Sequence, residues 1–136
     1  MLCVVGIAGC SSSPANSPQP PGSLPPTTAQ MTVNGKSEGT TRAVRCEQDG
    51  WAHTVTIGTE ESGATFVVNT GGKITAQRVD ITNVGGFTGS FYADHIGKAE
   101  ASVAGTTFRV NGTVEGATTE DPNKRTTANF DIKANC

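Results

Sequence analysis

Residues Ile7-Ala8-Gly9-Cys10 carry the most pointed chemistry in the chain. An aliphatic residue, two small residues and a cysteine after an apolar run make a bacterial lipobox. The small side chains let the backbone lie extended in a peptidase cleft, the Cys10 thiol takes a diacylglyceryl thioether, and cleavage exposes its amine for further acylation. Two acyl chains, at about 0.8 kcal/mol per buried methylene, hold a protein on a membrane stably where one does not. The motif therefore predicts a signal peptide over residues 1–9, palmitate-type lipidation at Cys10, and an extracytoplasmic protein anchored to the cell membrane. A secretory signal carries a basic n-region and roughly 7–15 apolar residues. Met1 to Gly9 contain no Lys or Arg, so the signal reads as truncated, with Met1 inside the apolar segment.

The chain has four cysteines, of which Cys3 leaves with the signal and Cys10 is lipidated. In an oxidising envelope compartment the remaining two, Cys46 and Cys136, are expected to pair. In the chain-entropy model a loop of that length is worth about 4.5 kcal/mol, a large share of a small domain's stability. A metal-binding or reactive thiol pair is the weaker reading, because neither cysteine lies in a CxxC and no histidine stands at ligand spacing.

The remaining groups give little to build a catalyst from. His53 and His95 are the only histidines. His95 directly follows Asp94, and neighbours on a strand face opposite sides, so they make a poor dyad unless a turn intervenes. His53 shares a phase with Val55 and reads as a strand-edge residue. There is no GxSxG, no HExxH and no glycine-rich phosphate loop before a helix. Glu60-Glu61 and Glu120-Asp121 fall at expected turns, where solvated charge is a plainer account than a weak cation site. We therefore expect no enzyme, no catalytic residue, no metal and no cofactor.

These residues must be positioned by three segments. Residues 1–9 are the signal; residues 10–30 are Ser-, Thr- and Pro-rich with a single Leu24, a composition that buries too little apolar surface to order itself. Its prolines favour polyproline II, so it reads as a stiff tether that holds the domain away from the membrane. Residues 31–136, about 105 in all, are enough for one domain with a modest core. The net charge of −2 offers no basic stripe for nucleic acid. No stretch reaches the roughly 20 apolar residues of a membrane-spanning helix.

From Met31 onward Thr, Val, Ile and Gly alternate with period two, and turn signals recur every eight to twelve residues or so, which is an all-β pattern. Strands are expected at 53–59, 64–70, 74–84, 87–94, 98–104 and 106–116. A closing strand puts Ala128, Phe130, Ile132, Ala134 and Cys136 on one face. Val44 and Cys46 share a face, so both cysteines can point inward. Ile74 and Ala76 are out of phase with Val79 and Ile81, which places a bulge near Gln77–Arg78. Asn34-Gly35 is expected to turn, with a new strand after Gly39. Asn111-Gly112 looks like a hairpin turn, but Phe108, Val110, Gly112 and Val114 keep step, so one long strand should run through it. Seven or eight antiparallel strands without helices predict a two-sheet sandwich, with a short barrel as the alternative.

The order of features (lipobox, Pro-rich tether, Val33-Asn34-Gly35-Lys36, early Cys46, Asn83-Val84-Gly85-Gly86, Ala99-Glu100-Ala101-Ser102, Phe108-Arg109-Val110-Asn111-Gly112-Thr113, and Phe130-Asp131-Ile132 before Cys136) resembles the mycobacterial LpqH family, the 19 kDa lipoprotein antigens. The resemblance implies an envelope lipoprotein whose acylated N-terminus is sensed by host Toll-like receptor 2. It also implies Cys10 as lipidation site, Cys46 with Cys136 as disulfide, tether glycosylation in many members, and a globular domain for which ligand transport has been suggested. Two functions follow: a displayed surface antigen acting through acylated Cys10, or a carrier holding a lipid or other apolar envelope ligand between the sheets. Ala99, Ala101, Gly112 and Ala128 could leave room for such a ligand, although small residues also simply let sheets approach. Trp51, Phe87, Phe91 and Tyr92 are candidates for exposed anchors, with most of them expected in the core.

Overall fold

The computed structural model describes residues 24–136, so the lipobox, Cys10 and the tether up to residue 23 lie outside the described residues. The described chain is all antiparallel β. Its ten strands are β1 (Thr28–Val33), β2 (Lys36–Thr41), β3 (Val44–Asp49), β4 (Ala52–Gly58), β5 (Gly63–Asn69), β6 (Thr75–Val84), β7 (Phe87–Tyr92), β8 (Lys98–Ala104), β9 (Thr107–Thr118) and β10 (Thr126–Asn135). No helix among the described residues is long and apolar enough to cross a membrane.

Hydrogen bonding joins the strands into one nearly closed, barrel-like sheet in the order β2-β1-β10-β9-β7-β6-β5-β4-β3, with β8 added on β9. What links the halves is the length of β9. Its first part ladders with β8, from Thr107 opposite Ala104 to Thr113 opposite Lys98, and its last part ladders with β7, from Glu115 opposite Ser90 to Thr118 opposite Phe87. Throughout, β10 covers its other edge. A strand that changes partner must let two backbones pass close by. Gly112 meets that need: a Cβ there would lie 1.9 Å from the Lys98 carbonyl oxygen, and its φ of +154° suits glycine. At Gly116 a Cβ would lie 1.9 Å from the Thr88 carbonyl oxygen.

The expected period-two patterns account for the core. Val55 and Ile57, Phe66 and Val68, Val79 and Ile81, Val110 and Val114, and Phe130 and Ile132 all point inward and are buried. β6 bulges where its pairing to β5 slips, from Arg78 opposite Val67 to Ala76 opposite Val68, which leaves Gln77 as the extra residue at the expected place. Gly112 lies inside β9 as expected, and Asn34-Gly35, both at positive φ, turns β1 into β2.

The strands number ten where seven or eight were expected, and they join in one nearly closed sheet, nearer to the barrel alternative than to the favoured two-sheet sandwich. Three local features also differ from the sequence reading. β2 begins at Lys36, directly after the turn, and not after Gly39. β1 begins at Thr28, inside the stretch assigned to the tether, and Leu24 is buried; its N–H donates to Thr107 Oγ1 (3.1 Å) and its carbonyl accepts from Asn135 Nδ2 (2.6 Å). The cysteines, finally, are exposed. Cys46 does share the inward phase of Val55, its partner across the β3–β4 ladder, but β3 overhangs the edge of the core.

Candidate functional site

The candidate site follows from β8. Its inward positions, Ala99, Ala101 and Val103, pack against the core but stay half-exposed, because β8 stands on β9 and is only partly roofed by the strands opposite. Two hollows flank this inner face. One, of about 730 Å³, lies between β6, the β7–β8 connection and β8, with Ile74, Ala76, Phe91, Ala93, Ala99 and Ala101 as its apolar lining. Lys73, Asp94, Lys98 and Glu100 form its rim. The other, of about 450 Å³, opens beside the disulfide and is lined by Cys46, His53, Val55, Val103, Phe108 and Cys136 among others. Both volumes fall in the range of small-molecule sites.

The disulfide-side hollow has the more defined chemistry. The Cys46–Cys136 bond, with Cα atoms 5.9 Å apart, ties the β3 edge strand to the residue after β10 and forms one wall. The Cys136 N–H donates to the Thr106 carbonyl (3.3 Å), which fixes that wall to the β8–β9 turn. His53 Nε2 lies 3.1 Å from Thr70 Oγ1, and its ring is tilted at 43° against Phe108, with 5.1 Å between centroids. This places His53 as a wall residue between the Thr70 hydroxyl and the Phe108 ring. Below the hollow, Asn135 is buried, accepting from Thr106 Oγ1 (2.6 Å) while it donates to Leu24. Sequence reasoning missed Asn135, whose position on the polar face of β10 marked it as solvated.

The other candidates are dispersed. Asp94 and His95 sit exposed in a turn after β7, where the His95 N–H donates to the Tyr92 carbonyl (3.0 Å). Glu60-Glu61 and Glu120-Asp121 are exposed at the β4–β5 and β9–β10 turns. Among the described residues no group of three or more His, Cys, Asp or Glu is arranged to hold a metal. Of the aromatic candidates, Phe87 and Phe91 belong to the core, whereas Trp51 is 68% and Tyr92 36% exposed. Of the small residues, Ala128 is core, Gly112 serves the backbone approach, and Ala99 with Ala101 lines the larger hollow.

Charge lies on the outside. On the outer faces of β9 and β10, Arg109 makes a two-pronged bond to Asp131 (3.0 and 2.8 Å). Across β6 and β7, Arg78 pairs with Asp80 and stacks over the Tyr92 ring at 5.3 Å. Hydrogen bonds that the guanidinium groups donate to these carboxylates, followed by the carboxylates' charge, raise both guanidinium pKa values. Such exposed pairs contribute little to stability.

The model of the Mycobacterium 19 kDa lipoprotein antigen family matches residues 22–136, which include every strand and both bridging cysteines. The chain belongs to that family. Its relatives are named as lipoproteins. A lipoprotein of Mycobacterium indicus pranii is 40% identical over 119 residues, covering 84% of this chain and 85% of the relative. One of Mycobacterium avium subsp. hominissuis is 32% identical over 136 residues, covering 99% and 89%. The lipoprotein LppE of Mycobacterium tuberculosis is 31% identical over 137 residues, covering 100% and 91%. Lipoprotein character and association with the envelope follow from the family, which is one of antigens and not of enzymes.

Proposed function

We propose that the protein is a non-enzymatic surface antigen of the cell envelope, anchored in the membrane by acyl chains on Cys10, and that host Toll-like receptor 2 recognises this acylated N-terminus. The observation that carries the reading is the lipobox Ile7-Ala8-Gly9-Cys10 on a chain whose relatives are lipoproteins. The test is Cys10→Ala. The variant is expected to leave the membrane fraction and to lose signalling in receptor-bearing cells; undiminished signalling sinks the proposal.

A second reading is supported by the hollows along β8: a carrier for a lipid or other apolar envelope molecule. In it the coiled sheet is two facing layers, β2-β1-β10-β9-β8 against β7-β6-β5-β4-β3, with β6 packed on β8 and β1 across the core. Native mass spectrometry of the secreted Cys10→Ala protein distinguishes the readings. A defined apolar adduct favours the carrier, and a clean apo mass leaves the antigen alone.

A further inference from the structure

Trp51 is the sole tryptophan of the chain and its most exposed large apolar side chain among the described residues, at 68%. Exposure alone would say little, but this indole is held in place. It sits at the β3–β4 turn, where its carbonyl accepts from the N–H (2.9 Å) and the hydroxyl (3.3 Å) of Thr70. Its ring lies flush on the β5–β6 turn, so close that a Cβ on Gly71 would stand 2.8 Å from the indole Cγ. The indole is thus backed by protein on one side while most of its surface is open.

Contacts connect Trp51 to the point where the N-terminal segment leaves the domain. Thr70, which holds Trp51, also meets His53 and borders the disulfide-side hollow. Gly105 and Thr106 border the same hollow; Thr106 bonds Asn135, and Asn135 holds the carbonyl of Leu24. Trp51, the mouth of the hollow and Leu24 therefore share one end of the molecule. Thirteen residues, 11–23, separate Leu24 from Cys10. At about 3.3–3.6 Å per residue the span from Cys10 to Leu24 reaches at most about 50 Å, so docking of this end needs a tether that runs along the membrane and does not stand the domain off it. Charge there is mixed: Glu47 pairs with Arg45 (3.7 Å), Asp49 precedes the indole turn, and Lys73 follows Gly71-Gly72 in the β5–β6 turn on which the indole lies.

We propose that this end is a bilayer-docking face, with Trp51 seated among the lipid headgroups of the membrane that holds the acyl chains of Cys10. An indole, with an apolar ring and one N–H donor, partitions to that boundary, and a mixed-charge end neither requires nor repels a charged membrane. One tryptophan binds a bilayer weakly, but the anchor turns docking into an intramolecular event at high effective concentration. The proposal rests on the anchoring reading above. Docked in this way, the hollow lined by Val103 and Phe108 opens toward lipid and away from bulk water.

Because Trp51 is the sole tryptophan, its fluorescence reports on the face without a label. The acylated full-length chain is reconstituted in phosphatidylcholine vesicles, recovered by flotation, and compared with Cys10→Ala protein in solution. The expected result is flotation with blue-shifted Trp51 emission, loss of intensity when the lipids carry brominated acyl chains, and reduced quenching by aqueous acrylamide. Flotation with unshifted emission and full acrylamide quenching overturns docking and leaves the anchor standing; the exposed indole is then free for a protein partner. If the chain fails to float, the anchor reading falls and docking falls with it.

Discussion

The two ends of β9 differ in how completely the same alternating pattern is covered. Where β9 pairs with β7, the inward residues Val84, Phe87 and Val114 are sealed, each at most 1% exposed. Where it pairs with β8, Ala99, Ala101 and Val103 face the same interior yet stay half-open. Alternation dictates which way side chains point; what covers them depends on how many strands meet there. The fork where β9 changes partner, just after Gly112, thus produces a sealed end and a half-open one from one continuous strand.

Truncation at the closed end should have the largest effect. Phe87→Ala removes a fully buried ring and is expected to cost about 3–5 kcal/mol in denaturant unfolding; a loss below about 1 kcal/mol would show that this end is as loosely covered as the other. Gly112→Ala attacks the fork itself by setting a methyl against the Lys98 carbonyl, with an expected loss of about 1–3 kcal/mol. Hydrogen exchange should then quicken in β8 first, and uniform protection along β8 and β7 would mean that the fork is not where the ends part. The smallest effect is expected at the open end, where Val103→Ala removes methyl groups that are already partly wet and should cost less than about 1 kcal/mol. A larger loss would mark that surface as covered in solution.

The sequence disclosed those parts of the fold in which burial imposes a pattern. The bulge at Gln77, the unbroken β9 through Asn111-Gly112 and the alternating Ala128, Phe130, Ile132 and Ala134 of β10 were all legible, because each has one face in the core. β2 was legible only in part, since Lys36-Ser37-Glu38-Gly39 is solvated on both faces and owes its strand to the β1 ladder alone. Leu24 and Asn135 escaped for a related reason: each is buried by the other's segment, a contact across 111 residues that no local period records. The phase of Cys46 was right and its exposure was not, because phase gives direction and says nothing about how far an edge strand overhangs. At the site, Ala99 and Ala101 were picked out as small, whereas the part played by His53 and Phe108 in walling a hollow needed the third dimension.

The bond between Cys46 and Cys136 also has a consequence for digestion. It closes a covalent ring, with its ends 90 residues apart in sequence, that takes in most of β3 and all of β4 to β10. A protease cutting any single turn within that ring, whether at Gly71-Gly72 or Asp121-Pro122, opens the circle without releasing a fragment. A cut at Asn34-Gly35 or Arg42-Ala43 falls outside it and severs the peptide link to Cys10, while β1 remains laddered to β10. Nicking inside the ring thus leaves a single covalent piece, whereas a single cut before Cys46 divides the chain.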